Sequence, residues 1–271
     1  MKLVGINGKA GSGKDTVAEQ LVSQFGFQQI ALADPIKQYA YKVFGFTKEQ
    51  LWGPSHMRDA PDPRFAFYND ALDASDAWLA TESRAQKYDP LFVDALVPGP
   101  GLLPGIALDK LRDWRQGLAK NREVISPRIV LQSLGTEWGR TVKESLWLSR
   151  ALEVSSRLMG GGYIYHHTTG LTYAPGAPAT HVVISDVRFA NELQTLKTSG
   201  AFLIRVHRPA ELRAQAEVGI EGHASEAEME GFSEDAFDYY IQNSKTLEDL
   251  LDAADVAGNI LTRKSTRPPA M

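Results

Sequence analysis

"KLVGINGKAGSGKDTVAEQLVSQFG", residues 2–26, sets a glycine-rich turn between an apolar run and a stretch of helical periodicity. Lys2 to Asn7 reads as a buried strand, and Val17, Ala18, Leu21, Val22 and Phe25 recur on one helix face before Gly26 ends it. Between them Gly8, Gly13 and Lys14 match the G-x-x-x-x-G-K pattern of a phosphate-binding loop. Glycines let such a loop curl so that successive N–H groups converge on phosphate oxygens, the helix start adds its positive dipole end, and the lysine reaches the outer phosphates. In this reading Lys14 reaches the β- and γ-phosphates of a nucleotide and Thr16 assists a phosphate through its hydroxyl or N–H; a glycine-rich turn without a ligand is the competing reading. Asp15 stands where Ser or Thr usually follows the lysine. A carboxylate beside a triphosphate is repelled unless a cation lies between them, so Asp15 either ligates Mg²⁺ or stabilises the first helical turn.

Further along, Phe27 to Ala33 reads as a second strand and Asp34-Pro35 as a cap followed by proline at the first helical position. Ile36, Tyr39, Ala40, Val43 and Phe44 give that helix one apolar side, and Thr47 to Gln50 forms a capping box for another. From Gly53 to about Glu123 prolines, including the run "VPGPGLLPG" (97–105), punctuate weak helical pieces and predict an irregular, mostly helical insert. Helical spacing returns at Ser126-Pro127 and again from Val142 to Leu158, and residues 160–178 pattern as a β-hairpin. A buried-type strand at His181 to Ser185, a helix at Asn191 to Thr198, strands at Ala201 to His207 and Asp238 to Gln242, and a helix through Leu247, Leu250, Leu251 and Ala254 complete the pattern. Strands alternating with helices specify an α/β fold with a central parallel sheet covered on both faces. The expected organisation is a core of residues 1–53 and 124–262, an insert at 54–123, a polar lid at about 208–233 and a frayed tail at 263–271.

Polar residues cluster in the same blocks. "VVISDVRFANE" (182–192) delivers Asp186 and Arg188 at the carboxyl end of a strand, where open α/β sheets bind ligands. Asp186 there can hold Mg²⁺ and Arg188 a phosphoryl group, or the two form a structural ion pair. Asp34 caps its helix, and Lys37, one turn in, can reach an anionic substrate. Arg128 and Gln132, four apart on one helix face, pair a guanidinium for phosphate with an amide for a base edge, with Arg140 beyond them; a solvated polar face is the competing reading. Arg205, Arg208 and Arg213 surround a segment placed to close over ATP, a merely solvated charged face being the competing reading, and Arg58 is a weaker candidate of the same kind. Trp147 reads as core. His166-His167 lacks further ligands at metal spacing, which excludes a zinc site, and His223 with Glu226 reads as lid or polar helix start.

Composition narrows the classes. With 271 residues, 43% hydrophobic, the chain can bury one large core, and a formal charge of −4 argues against stable nucleic-acid binding. The absence of cysteine excludes disulfides and thiol chemistry and suits a cytoplasmic protein. Neither a signal peptide nor a run of roughly 20 apolar residues is present, so no membrane association is expected.

"GKAGSGKDT" with Asp after the lysine, "ADPIK" (33–37), "PRIVLQSLGTEWGR" (127–140) followed by Trp147, "ISDVRFANE" (184–192) and the later "HRP…HASE…IQNSKTLEDL" occur in one order. Together they resemble the bacteriophage deoxynucleoside monophosphate kinases of the P-loop nucleoside monophosphate kinase group. The resemblance implies a P-loop kinase fold, a Mg²⁺-dependent transferase moving the ATP γ-phosphoryl group to a dNMP, and residence in the host cytoplasm. It places Gly11 to Thr16 on the ATP phosphates, Lys37, Arg128 and Gln132 on the acceptor nucleotide, and Asp186 with Arg188 beside the reacting phosphates. The residues themselves add Arg208 on ATP, Lys14 and Arg128 as positive charge at the transferring group, Asp15 and Asp186 on the metal, and Asp34, Arg58 and Arg140 at the acceptor. Residues 54–123 and 160–178 align with nothing in the family's pattern, the insert being expected at the acceptor site. A homodimer stays open. So do two other readings: a kinase of another small phosphorylated metabolite, since animal phosphomevalonate kinases pair a similar loop with a "PLK"-like block, and a DNA-associated P-loop ATPase.

Overall fold

Alternation along β1 (Lys2–Asn7) sets the two faces of the sheet: Val4 and Ile6 point to one core, while Gly5 opens space on the other. A Cβ at Gly5 would stand 2.9 Å from Leu196 and 3.0 Å from Leu203, so the missing side chain is what lets a helix approach that side. The computed structural model describes residues 2–65, 76–96, 104–120, 125–213 and 231–263. The centre of the expected lid with His223 and Glu226, the tail from residue 264, and parts of the insert lie outside them. The chain divides into two units, Met1–Ala31 with Val154–Tyr165 and Tyr173–Met271, and Leu32–Glu153 with His166–Thr172.

In the first unit, β1 is followed by α1 (Lys14–Phe25) and β2 (Gln28–Ile30), and the chain returns with β5 (His181–Val187), β6 (Phe202–His207) and β7 (Tyr239–Gln242). Among the described residues these five strands form a parallel sheet in the order β2-β5-β1-β6-β7. Leaving β1 the chain runs first to one side and then to the other, which creates a crevice at the strands' carboxyl ends. One face is covered by α1 and the last helix, α11 (Leu247–Thr262), whose Leu250, Ala254, Ala257 and Leu261 meet Val17, Ala18 and Leu21. Gly258 permits this approach, because a Cβ there would lie 2.3 Å from the Phe25 ring. Helix α9 (Ala190–Thr198) supplies Leu193 and Leu196 on the other face. β2 is shorter than the sequence pattern from Phe27 to Ala33 suggests, and pairs only over Gln28 to Ile30.

The second unit is helical. It contains α2 (Asp34–Val43), α3 (Lys48–Trp52), α4 (Asp76–Leu96), α5 (Pro104–Lys120), α6 (Pro127–Ser133) and α7 (Gly139–Val142), with a π-helical turn over Leu134–Trp138. Asp34 is the first residue inside α2 and Ala33 occupies the cap position, one residue earlier than expected. The capping box at Thr47 forms in full, with the Thr47 N–H donating to Gln50 Oε1 at 2.8 Å and the Gln50 N–H to Thr47 Oγ1 at 3.1 Å. Among the described residues the insert contains 3₁₀ turns at Ser55–Arg58 and Pro63–Phe65 and two long continuous helices, α4 of 21 residues with Pro90 inside it and α5 of 17. Their periodicity is obscured because Thr81, Asp89 and Arg115 occupy buried positions that a purely apolar pattern leaves out. Aromatic rings dominate the packing, with Phe44 and Phe46 stacked at 5.7 Å against Phe65, Trp78 and Trp114. Helix α8 (Leu146–Gly160) leads to the hairpin of β3 (Tyr163–His166) and β4 (Gly170–Tyr173), and α10 (Ala210–Arg213) follows β6. No helix among the described residues is long and apolar enough to cross a membrane.

Candidate active site

The loop after β1 is shaped by two left-handed glycines, Gly11 at φ 70° and Gly13 at φ 92°. Gly13 caps α1 without any side-chain hydrogen bond, which leaves the first N–H groups of that helix pointing out of its end. Ser12 is 1% exposed, yet its hydroxyl meets no partner among the described residues. A buried hydroxyl without a partner costs free energy, and a ligand oxygen is a natural one to supply it. Gly8 makes the tight approach possible: a Cβ there would lie 2.4 Å from Ser12 Oγ and 2.7 Å from the Val206 carbonyl. Asn243, just beyond β7, braces the loop from outside by donating through Nδ2 to the Ser12 carbonyl at 2.9 Å. Its own N–H donates to the His207 carbonyl at 2.7 Å, so the loop is tied to the end of β6.

Lys14 is 8% exposed and its ammonium contacts Asp15 Oδ2 at 3.1 Å. The anomalous carboxylate therefore neutralises the loop lysine, and incoming phosphate oxygens would compete with it. Among the described residues no group of three or more His, Asp or Glu side chains is placed to hold a metal. A nucleotide-bound Mg²⁺ needs only one or two carboxylates besides phosphate and water, and exposed Asp15 and half-buried Asp186 fit that more modest donor set.

Three strand ends are joined by Asn7, which is 1% exposed. Its amide donates to the Val187 carbonyl on β5 at 2.8 Å and accepts from Arg205 on β6 at 3.0 Å. The Arg205 guanidinium lies over Phe237 and Phe232, 5.3 and 6.0 Å from their centroids, and burial lowers its pKa. Beside it, Lys9, Ser12, Arg205, His207, Arg208 and Arg213 line a cavity of about 330 Å³ with no acidic residue among the described residues of its wall. Arg213 donates to the Arg208 carbonyl at 2.9 Å, and Arg208 Nε is buried without a partner among the described residues. A cationic cavity next to a loop of inward N–H groups is suited to a polyphosphate.

Asp186 lies near the end of β5 and exposed Arg188 just beyond it. Buried Glu192 fixes this turn, its carboxylate accepting the N–H groups of Arg188 at 2.9 Å and Phe189 at 3.0 Å. Neither Asn243 nor Glu192 stands out in sequence as functional. For Glu192 the readable sign is its place four residues after Arg188 in "VRFANE", one turn into a helix.

In the second unit the expected acceptor residues are distributed over several elements. Asp34 is buried and Lys37 half-buried on α2, and Gln132 is half-buried on α6. Arg128, four residues before Gln132, pairs through Nε with Asp59. Arg58 donates to the carbonyls of Leu51 and Gly53 at 3.1 and 3.2 Å, ties that hold the end of α3. Arg140 bridges to Glu144 at 3.1 Å. Trp147 is buried as expected, its indole donating to the Gly135 carbonyl at 2.8 Å, and Gly139 clears space for the ring.

No family model matches the chain. It is 31% identical over 210 residues to the deoxynucleoside-5'-monophosphate kinase of Escherichia phage T5, covering 72% of this chain and 71% of that one. A relative in Acanthamoeba polyphaga mimivirus, whose name assigns it provisionally as a deoxynucleotide monophosphate kinase, is 26% identical over 259 residues and 92% of each chain. The crystal structure of TT1252 from Thermus thermophilus aligns with 97% of this chain and 98% of that one at 18% identity, with a TM-score of 0.39.

Proposed function

The chain belongs to the deoxynucleoside monophosphate kinase family, and on that premise we propose that it transfers the γ-phosphoryl group of ATP, with Mg²⁺, to the phosphate of a dNMP, giving a dNDP and ADP. The observation that carries the ATP half is the loop itself: an uncapped helix start, a buried Ser12 hydroxyl without a partner among the described residues, and a cationic cavity beside it.

Phosphoryl transfer asks a protein for alignment and for positive charge on the equatorial oxygens rather than for covalent chemistry. The N–H groups of Gly11 to Thr16 and the Ser12 hydroxyl hold the donor phosphates. Lys14 exchanges Asp15 for phosphate oxygens, and Arg208 faces the remainder of the nucleotide. Asp186 and Arg188, fixed by Glu192, stand at the transferring group, with Arg128 contributing positive charge. Asp34, Lys37, Arg58, Gln132 and Arg140 position the acceptor, to which the insert of residues 54–123 contributes. Since the acceptor is already an anion, no side chain has to remove a proton from it. Mg²⁺, held through Asp15 and Asp186, would neutralise charge on the β- and γ-phosphates.

A coupled assay of ADP release tests this, run with ATP, Mg²⁺ and each of the four common dNMPs, a phosphorylated non-nucleotide metabolite, or DNA. Release that depends on at least one dNMP is the expected result. Release that requires the non-nucleotide metabolite, or that DNA alone stimulates, would contradict it.

A further inference from the structure

The hairpin of β3 and β4 is among the segments that the family pattern leaves unexplained, and its tip belongs to the helical unit rather than to the sheet. Two features fasten it to α2 at one residue. Gln38 Nε2 donates to the His167 carbonyl at 2.8 Å, and Gly170, at φ 82°, lies where a Cβ would come within 3.2 Å of Gln38 Oε1. The fastening residue is the immediate neighbour of Lys37.

What the tip presents there is unusual for a solvated turn. The His167 ring stacks on His166 with centroids 4.3 Å apart and lies 5.9 Å from the Trp52 ring at an angle of 53°. Tyr41 adds a further ring 6.3 Å from Trp52. The Trp52 indole nitrogen is shielded from water and has no partner among the described residues, whereas indole N–H groups out of water normally find an acceptor. Basic groups act on His167: burial, then His166, Lys37 and Lys48 hold its pKa below the ordinary histidine value. An aromatic surface with a donor unused among the described residues, set beside cations, matches a ligand that is both aromatic and anionic.

We propose that Trp52 and His167 form the acceptor's base-binding surface, the nucleobase lying against these rings and accepting the Trp52 N–H while Lys37 takes its phosphate. The hairpin is then a specificity element, because its tip decides which base edge fits against the two rings. This rests on the kinase reading, and its test separates the two.

Acceptor and ATP kinetics are measured for the wild type, Trp52→Phe and His167→Ala with each dNMP. Trp52→Phe keeps a ring and removes the donor, so the acceptor KM should rise about three- to tenfold. His167→Ala removes a stacking face and should raise it about tenfold. In both, kcat and the ATP KM should stay within about twofold, and the four dNMPs should be affected unequally. Histidine NMR of the wild type supplies a readout independent of variant folding. Adding a dNMP without ATP should move the His167 ring signal, assigned from His167→Ala, and adding ATP alone should not. Unchanged acceptor KM in both variants, a matching rise in the ATP KM, or a His167 signal that a phosphorylated dNMP leaves in place would overturn the proposal. A His167 signal that shifts with a dNMP while none of the four dNMPs is phosphorylated would support the surface and refute the kinase reading.

Discussion

Replacing Arg115 by methionine tests the helical insert at its most highly charged point. Arg115 is 4% exposed; its Nη1 donates to Asp89 Oδ2 at 2.8 Å and to the Tyr39 hydroxyl at 3.1 Å, while Nε and Nη2 reach Glu82 at 2.8 and 3.3 Å. The Tyr39 hydroxyl donates in turn to Asp89 Oδ1 at 2.7 Å, and burial, then the Asp89 charge, raises its pKa so that the proton stays in place. Burial works against the Arg115 cation, but the bonds to Glu82 and the charges of Asp89 and Glu82 outweigh it, raising its pKa. Methionine keeps most of the stem and removes the charge, leaving Asp89, 2% exposed, with only the tyrosine hydroxyl. Breaking a buried pair in this way costs about 3–5 kcal/mol, a large fraction of the roughly 5–15 kcal/mol by which domains are stable. Glu82 is more exposed and adds little to that cost. All five tryptophans of the chain lie between residues 52 and 147, so urea unfolding followed by tryptophan emission reports on this unit. Arg115→Met combined with Asp89→Leu removes both charges and should recover at least about 2 kcal/mol of the loss. A loss below about 1 kcal/mol in the single variant, or a double variant that loses the sum of both singles, would refute the reasoning.

Other perturbations address the loop and the titrating groups. Gly8→Ala drives a Cβ toward Ser12 Oγ and the Val206 carbonyl; ATP-dependent turnover should fall by about a hundredfold while the tryptophan-reported urea midpoint holds, and an unchanged ATP KM would reject the close approach. Asp15→Ala should raise the Mg²⁺ concentration for half-maximal activity by about tenfold; the same Mg²⁺ dependence as wild type would leave Asp15 as a partner of Lys14 alone. Burial, first among the causes, lowers the pKa of His167 and of His181, the latter also through the N-terminal amine and Lys2. The unfolded chain then binds more protons just below about pH 6.5, so stability should decline as pH falls through that region. For Asp62 burial acts upward, but the hydrogen bonds from Arg64 and Gln50 prevail and lower the pKa, so its contribution, present above about pH 4, is lost on further acidification. Urea midpoints that rise between pH 7.5 and 5.5 would contradict the histidine signs.

The parallel sheet was legible because its determinants are local. β1 and its loop follow from one apolar run and three glycines, and the caps at Thr47 and Ser126 are each written within four residues. The insert was harder to read because its helices bury an ion-paired network: Asp89 and Arg115 interrupt the apolar periodicity, and only the fold brings Tyr39 beside them across 50 and 76 residues of chain. At the loop, G-x-x-x-x-G-K identified the backbone cradle but could not indicate Asn243, 231 residues away from the carbonyl it braces. Asp15 posed a question about metal in the sequence; the structure adds Lys14 as a direct neighbour. Likewise, His166-His167 looked inert when judged as a metal motif, and its interest arises from Gln38 and Trp52, which sequence spacing does not connect to it.

The central claim is the fate of one phosphoryl group, and ATP labelled at the γ-phosphorus follows it directly. With Mg²⁺ and a dNMP that the protein accepts, the label should appear at the β-position of the dNDP, one labelled dNDP for each ADP formed. Label released only as inorganic phosphate, or left in ATP with every dNMP supplied, would contradict the account.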